Sequence, residues 1–479
     1  MWNDSEGLYH RRTWLHWNVT GLATIAACEL LQRDGWLRAA QPDSLPLPHT
    51  PPRCRRVLQV FLCGGLSQID TFDYKPTLAR YHGQSLPASE KPETFFGKIG
   101  LLRQADFPFA QHGESGLWIS ELFPHLSRCV DDLTIIRSMR ADSANHTPAT
   151  FQANTGFRLN GFPVLGAWLS YGLGSEADNL PAYVVLPDPR GYPAGGTINW
   201  TNGFLPAQHQ GVALRTRGDV LPDLFPSTFS YQPEREQATR AYLEQLEARY
   251  RQRHPEGELQ ARLQSYALAA RMQLSIPQVT DLAQETQATQ EMYGLHQEAT
   301  ADCARQCLLA RRLLEHGVRI VQIFSGGSFG SPRINWDAHE NTRENHLQEA
   351  RRLDQPLAAL LLDLKQRGLL DDTLVLITTE FGRTPFTQAE QGMLGAGRDH
   401  NMYGFSIVLA GGGLKPGYAY GHTDDLGWKA VDHVVTWPDL HATILHLLGL
   451  DHTRLTYYHN GIQRRLTNVH GEVLHSLLA

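Results

Sequence analysis

The sequence predicts an α/β fold built on a mostly parallel sheet, and three observations favour it. A β-rich run over 373–379 ends abruptly in a polar turn at Glu380, which is how a buried parallel strand ends at the carboxyl edge of its sheet. A helical stretch over 343–367 separates this strand from another at 318–324, and such a βαβ unit is expected to be parallel and right-handed. With 479 residues and 42% hydrophobic content, the chain can bury a large core.

Composition excludes some classes of partner. The formal net charge is −6 and no long basic run is present, which argues against nucleic acid because phosphate binding relies on clustered Lys and Arg. No run of eighteen apolar residues occurs, so no transmembrane helix is predicted. The 22 histidines are a high count for a residue type that commonly binds transition metals.

The N-terminal segment, residues 1–55, is predicted to lie outside the main domain. Arg11 and Arg12 precede a short apolar stretch over 21–28, which resembles a twin-arginine export signal; an amphipathic helix is the alternative. If it acts as an export signal, the protein is periplasmic or extracellular, and otherwise it is cytoplasmic. A Pro-rich linker over 41–53 leads into the main domain, 56–479.

The first predicted strand, 57–62, runs into a Gly-rich turn that allows close approach of the backbone to a ligand. Asp70 lies just beyond this turn and is a candidate ligand, whereas Asp73 is interpreted as a turn residue. A second strand, 133–139, leads through a polar turn to a helix that begins near His146 or Thr147. Backbone donors at such a helix start favour anions, although a surface capping turn explains the same pattern.

The middle of the chain changes character at about 234–316. Apolar residues recur there at helical spacing among Glu, Gln, Ala and Arg, which predicts a helical insertion that packs on the sheet. Before it, the Gly- and Asn-rich segment 195–207 predicts a long ordered loop. Trp200 and Phe204 in this loop either line a substrate pocket or simply pack the loop.

Three later segments each carry potential metal ligands. Asp337 and His339 are two residues apart in an extended segment and point the same way, so both could bind one divalent ion. Glu380 and His400 follow at the next two strand ends. Open parallel sheets gather their ligands at such ends, and a mixture of imidazole and carboxylate favours Zn, Mn or Fe over Ca or Mg.

These motifs identify the sequence as a member of a known family. The chain from about residue 56 onward resembles the bacterial family called domain of unknown function 1501, a branch of the alkaline phosphatase and sulfatase superfamily. The matching segments are Gly64–Asp73, Asn145–Ala149, Gln264–Gln273, Trp336–His339, Thr379–Pro385, Gly397–Asn401 and Asp439–Gly449.

The resemblance implies an alkaline phosphatase-like three-layer α/β/α sandwich with two neighbouring metal sites and a nucleophile at a helix start. His146 stands where similar sulfatase segments carry a cysteine that becomes formylglycine, so that chemistry cannot occur here, and the resemblance leaves His146 as a metal ligand or a direct catalytic nucleophile. Glu380-Phe381-Gly382 is similar to the superfamily's Asp-His-Gly, with one ligand conserved in charge and the next replaced by an apolar residue. Asp70 is the nearest replacement for the first-strand carboxylate of the second site.

The sequence therefore predicts a metal-dependent hydrolase of phosphate or sulfate esters, acting on a small molecule or a polysaccharide. Asp337, His339 and His400 are expected to bind one ion, and Glu380, Asp70 and His146 to bind or border a second. Water activated by the ion, or the Thr147 hydroxyl, would attack, and Arg383 would either hold the oxyanion or pair with Glu380. The alternative is a non-catalytic, metal-stabilised binding or scaffold protein. Nothing in the sequence predicts an oligomeric state.

Overall fold

A nine-stranded sheet organises the part of the chain that the computed structural model describes, namely residues 47–87, 92–221, 275–327 and 333–479 with isolated positions between 238 and 272. Residues 50–479 belong to one compact unit. The predicted export signal, most of the Pro-rich linker and the first half of the helical insertion lie outside the described residues.

The main sheet contains, in order across it, β12 (Tyr418–Tyr420), β4 (Leu133–Arg140), β11 (Phe405–Ala410), β8 (Thr373–Thr378), β1 (Arg56–Leu62), β7 (Ile320–Ser325), β5 (Tyr183–Leu186) and β6 (Val212–Ala213), with β15 (Val435–Thr436) also beside β4. The two-stranded pairs are β2 (Phe109–His112) with β3 (Leu117–Ser120), β9 (Gly382–Thr387) with β10 (Arg398–Asn401), β13 (His422–Thr423) with β14 (Ala430–Asp432), and β16 (Tyr457–His459) with β17 (Ile462–Arg464).

The α-helices of the described residues are α1 (Pro76–Arg80), α2 (His146–Thr155), α3 (Leu165–Leu173), α4 (Gln287–Tyr293), α5 (Ala301–Glu315), α6 (Thr342–Gln366) and α7 (Trp437–Leu447). Short 3-10 helices cover Leu126–Asp132, Gly196–Trp200, Ala207–His209, Leu282–Gln284 and His475–Leu477.

Strand directions confirm the predicted, mostly parallel sheet and show that it is mixed. β1 runs parallel to both of its neighbours, so that Val60 pairs with Ile323 of β7 and with Ile377 of β8. β5 and β6 continue the parallel set beyond β7. β11 is antiparallel to both β8 and β4, and this reversal makes β4 run in the same direction as β8. The predicted β7-α6-β8 unit is parallel, with β1 inserted between its two strands.

Two separate apolar cores cover the two faces of the sheet. Alternate residues of β1 point to opposite faces, as the pleat requires. Leu58 and Val60 are buried in a core shared with α5 and α6, whereas Val57 and Phe61 are buried in a core shared with α3 and α7. The helices therefore form one layer on each side of the sheet.

Two helices begin at or just after predicted site residues. α2 begins at His146, where the Asn145 side chain caps the helix by accepting from the Thr147 N–H at 3.3 Å, and it ends at Gly156 with φ of +79°. α6 begins after Asn341, whose side chain accepts from the Glu344 N–H at 3.2 Å. α6 continues through Pro356 to the turn before β8, so it links the Asp337 segment to the Glu380 strand.

The described part of the predicted insertion belongs to the core. α5 buries Cys303 and Cys307 in the same core as Leu58 and Val60 of β1. In the predicted loop over 195–207, Trp200 is buried against Phe324, and Phe204 packs on Trp168. These contacts match the packing interpretation of the loop.

Two buried histidines predict acid sensitivity. Burial lowers the pKa of His346 to about 3 and that of His441 to about 4, so both are neutral in the folded protein at pH 5. In the unfolded chain they protonate below about 6.5, so the unfolded state binds more protons and stability falls as the pH drops from 6.5 towards 4. We expect each to cost about 1.4 kcal/mol per pH unit in that window.

Guanidinium chloride unfolding at pH 7.5, 5.5 and 4.5 measures this slope. His441→Gln should flatten it, since Gln can still donate to the Ala153 carbonyl, which His441 Nε2 contacts at 3.0 Å, without taking up a proton. The exposed His422→Gln variant is the control and should leave the slope unchanged. An unaltered slope in His441→Gln would contradict the assignment.

Candidate metal centre

One edge of the sheet collects the predicted site residues because of strand direction. The carboxyl ends of β4, β7 and β8 share this edge, and they lead to His146, to Asp337 with His339, and to Glu380. His400 arrives differently from the prediction. It lies on β10 of a short hairpin, just before β11, and because β11 is antiparallel its amino end lies at the same edge.

Four of these side chains converge on one point. One ligand atom from each lies within 4.8 Å of the others in the group His146, Asp337, His339 and His400. His339 Nε2 lies 2.7 Å from Asp337 Oδ1 and 2.9 Å from His400 Nε2. His146 Nε2 and His400 Nε2 each lie 3.4 Å from the same carboxylate oxygen. His146, Asp337 and His400 are buried, and His339 is partly buried.

Each imidazole in this cluster has its other nitrogen next to an oxygen acceptor. His146 Nδ1 lies 2.7 Å from Glu380 Oε1, His339 Nδ1 contacts Gln388 Oε1, and His400 Nδ1 contacts the carbonyl of Ala144. An acceptor at Nδ1 places the ring proton there and leaves the Nε2 lone pair directed into the cluster. Metal-binding histidines are oriented in this way, so the donor set fits a divalent ion.

Asp337 is the carboxylate at the centre of the cluster, and two arginines hold it. Arg383 Nη2 lies 2.7 Å from Asp337 Oδ1, and Arg333 Nη1 donates to Oδ2. Burial alone would raise the pKa of Asp337, but Arg383 and the three histidines outweigh it and hold that pKa well below its usual range. The carboxylate is therefore ionised and available to an ion at any physiological pH.

The pKa values of two buried histidines of the cluster shift in opposite directions. His400 loses solvation and faces Arg383, so its pKa is held well below the ordinary value and the ring is neutral. Burial opposes protonation of His146 as well, but its hydrogen bonds to Asp337 and Glu380 raise its pKa. Protons and metal ions therefore compete at His146 more than at His400.

Glu380 contacts the Nδ1 side of the His146 ring and is not one of the four side chains of the cluster. Its Oε1 accepts from the Gly64 N–H at 2.8 Å and from His146 Nδ1, while the Thr379 hydroxyl donates to Oε2 at 3.2 Å. A carboxylate in this position fixes the orientation of a metal-binding imidazole. The structure thus places Glu380 next to His146, a candidate metal ligand, and Glu380 contacts Nδ1 of that imidazole.

Asp70, the other carboxylate predicted for a second ion, lies in a different network. It accepts from Ser67 Oγ, from the Asp106 N–H at 2.7 Å and from Arg398 Nε at 3.1 Å. These three donors occupy its oxygens. Thr147 follows His146 in the first turn of α2, and its backbone N–H, not its hydroxyl, makes the capping bond to Asn145.

Arg383 pairs with Asp337, whereas the sequence suggested Glu380 as its structural partner. The guanidinium is fully buried and also donates to the carbonyls of Gly64 and Gly65, the latter at 2.9 Å. No pattern in the sequence indicated Arg333, Gln388 or the aromatic residues next to the histidines. Arg333 is four residues before Asp337, but the segment between them has no periodicity that would mark it.

Gly64 allows the turn after β1 to approach the Asp337 segment. Its φ is +112°, and a Cβ there would lie 2.5 Å from the Asp337 nitrogen. We expect Gly64→Ala to destabilise the fold by more than about 2 kcal/mol and to displace Asp337, because positive φ and a backbone clash add together.

Gly83→Ala is the matched control for this substitution. Gly83 has φ of +77° but nothing within 4 Å of a built Cβ, so this variant reports backbone strain alone. Thermal unfolding and metal affinity of the two variants should therefore differ. Equal losses in both would show that the close approach at Gly64 has no effect.

No helix among the described residues combines the length and apolar character of a membrane-spanning segment. No curated protein matches the chain. The sequence model of the family described as "Protein of unknown function (DUF1501)" matches residues 54–478.

Several solved structures are similar at low identity. A phosphonate monoester hydrolase from Silicibacter pomeroyi has 14% identity and a TM-score of 0.34, with 74% of this chain and 71% of that chain covered. The PsFucS1 sulfatase from Pseudoalteromonas sp. has 14% identity and a TM-score of 0.33, with coverage of 92% and 76%. Alkaline phosphatase from the Antarctic bacterium TAB5 has 11% identity and a TM-score of 0.33, with coverage of 82% and 98%. Since the DUF1501 model spans almost the whole of the described fold, the chain belongs to that family.

Proposed function

We propose that this protein is a metal-dependent hydrolase of phosphate or sulfate esters, with one divalent ion held by His146, Asp337, His339 and His400. The convergence of three imidazole Nε2 atoms and one carboxylate oxygen within 4.8 Å carries the proposal. Four donor atoms this close together can bind one common ion. Without an ion, the Nε2 lone pairs of His339 and His400 would face each other at 2.9 Å.

The distances between donor atoms support an ion of zinc size. Zinc lies about 2.0–2.1 Å from nitrogen ligands, so donors at the corners of a tetrahedron lie about 3.3 Å apart. Four of the six donor pairs in this cluster lie 2.7, 2.9, 3.4 and 3.4 Å apart, and all six lie within 4.8 Å. Three histidines and one carboxylate favour Zn, Mn or Fe, and make Ca or Mg less suitable.

The charges around the cluster support an anionic substrate. A divalent ion bound beside Asp337 would have the two positive charges of Arg383 and Arg333 nearby, against the buried carboxylates of Asp337, Glu380 and Asp399. The centre would thus carry a net positive charge. Phosphate and sulfate esters of small molecules or polysaccharides have the complementary charge.

When bound, the ion would polarise the ester and lower the pKa of a coordinated water. The residues of this chain would hold the ion in position. Glu380 holds the His146 ring through Nδ1, and Arg383 holds Asp337. Arg383 is fully buried and already donates to backbone carbonyls, so we assign it this positioning role. Arg333, whose side chain is 27% exposed, donates to Asp337 and also to Glu340, through Nε at 2.8 Å and Nη2 at 2.9 Å, so a substrate anion would bind Arg333 only by displacing Glu340.

Thr147 is the alternative nucleophile that the sequence predicted, and Thr147→Ala tests it.

We propose one ion rather than two. Among the described residues the cluster above is the group that can hold an ion, and Asp70 is occupied by three other donors.

A non-catalytic role has one observation in its favour. Four protein ligands around a tetrahedral ion leave no open position, as in structural zinc sites, whereas catalytic zinc sites have three. Under this alternative the ion stabilises a binding or scaffold protein. Hydrolysis requires an ion that accepts a fifth ligand, or release of one of the four.

Metal analysis of purified protein, followed by a panel of phosphate and sulfate esters, tests the proposal. We expect about one equivalent of metal and turnover of at least one ester. Glu380→Gln should reduce metal affinity by roughly 10–100-fold, because it weakens the hold on His146. Bound metal without turnover of any ester favours the scaffold alternative, and absence of metal at saturating concentration rejects both.

A further inference from the structure

Two exposed phenylalanines lie against the outer side of the candidate metal centre. Phe95 stacks on His400 with ring centroids 4.9 Å apart, and Phe96 meets His339 edge to face at 4.8 Å. The two phenyl rings contact each other at 5.0 Å and 85°. Two of the four candidate ligands are thus in direct contact with apolar rings.

These rings are held in place by the hairpin that carries His400. The Phe96 N–H donates to Asp399 Oδ2 at 2.9 Å, and the other oxygen of Asp399 accepts from the His400 N–H at 2.7 Å. Asp399 is fully buried, so one fixed carboxylate connects the backbone of the aromatic pair to the backbone of a ligand. The position of the rings relative to the centre is therefore defined.

Shielding of the histidines alone does not explain this arrangement. Phe95 is 44% exposed and Phe96 is 50% exposed, so roughly half of each residue faces solvent. Large apolar side chains exposed together beside a polar, charged centre mark a surface that a ligand covers. A molecule that covers the two rings would also reach the metal centre, because the rings contact His400 and His339, two of the candidate metal ligands.

We propose that Phe95 and Phe96 select the substrate by binding the organic part of the ester, and that this part carries a ring with an apolar face, either aromatic or sugar. The inference rests on the proposed hydrolase function and names its substrate class. The anionic group would lie at the metal centre, and the ring would lie on the phenylalanines, since flat apolar faces stack on phenyl rings.

Equilibrium binding to the full-length, metal-loaded protein tests this without requiring turnover. The probes are methylphosphonate and phenylphosphonate, which differ only in the ring, with methanesulfonate and benzenesulfonate as the sulfur pair. We expect the ring-bearing member of one pair to bind about tenfold more tightly, as an aromatic contact with buried area would give. Glucose 6-phosphate against glycerol 3-phosphate provides the sugar arm.

Phe95→Ala and Phe96→Ala should reduce this preference, the ratio of phenylphosphonate to methylphosphonate affinity at saturating metal, to nearly one, and a change in metal affinity cancels in this ratio. Phe95→Leu should lose most of it as well, because it keeps apolar volume but not the ring. Leu159→Ala is the control, since Leu159 is 70% exposed in another segment and should have no effect.

The outcomes separate this inference from the proposed function. Equal binding of ring-bearing and ring-free probes in every arm, or a preference that survives both alanine variants, overturns the inference and leaves the hydrolase proposal standing. Failure of every anion to bind the metal-loaded protein rejects the proposed function and the inference with it. A ring preference confined to the aryl or the sugar arm supports the inference and identifies the substrate class.

Discussion

His339→Ala is expected to abolish both metal binding and ester hydrolysis. His339 Nε2 lies between Asp337 Oδ1 and His400 Nε2, so its loss removes a donor from the middle of the cluster. Loss of a residue that only orients a ligand costs about 10–100-fold in affinity, and loss of the ligand itself should cost more than about 100-fold. Metal titration and kcat/KM on the best ester of the panel measure the two effects.

Two further variants serve as comparisons for His339→Ala. Gln388→Ala removes only the acceptor at His339 Nδ1 and should give an intermediate loss of metal affinity. His422→Ala removes an exposed histidine that pairs with Asp432 and should match the wild type. If His339→Ala retains full metal affinity but loses turnover, His339 is a catalytic group and not a ligand.

Arg383→Met is expected to lower the free energy of unfolding of the metal-free protein by about 3–5 kcal/mol. Removing one partner of a buried ion pair leaves the other charge uncompensated, and Arg383 is the fully buried partner of Asp337. The carbonyls of Gly64 and Gly65 lose a donor at the same time. Excess metal should restore part of the loss, because the ion then compensates Asp337.

Guanidinium chloride unfolding with a chelator and with excess metal measures both parts of this prediction. Arg217→Met is the control, since the Arg217 side chain is 64% exposed in its pair with Asp302 and should contribute less than about 1 kcal/mol. Equal losses for the two arginine variants, or a loss that metal leaves unchanged, would contradict a role for Arg383 in positioning Asp337.

Local patterns in the sequence predicted the elements that carry the site. The strand before Glu380, the helix that begins at His146 and the extended Asp337-x-His339 pair depend on residues close in the chain, where periodicity and capping act directly. The family was recognisable for the same reason, because its motifs are short and contiguous.

The contacts that complete the site join distant parts of the chain. Glu380 contacts His146, 234 residues away, and Gln388 contacts His339 across 49 residues. The partner of Arg383 depended on the register of the β9-β10 hairpin, which aligns His400 with Arg383 and brings this arginine to Asp337 and not to Glu380. No local pattern specifies such pairings.

By itself, the sequence determined a mostly parallel α/β sheet and named three of the four converging side chains, Asp337, His339 and His400, as ligands of one ion. The tertiary structure decided that His146 lies with these three side chains. It also decided that Glu380 contacts His146, that Arg383 contacts Asp337, and that Asp70 pairs with Arg398 outside the cluster. The physical reason is that periodicity and capping report on residues within a few positions of one another, whereas the atoms that face one point depend on strand order, strand direction and hairpin register.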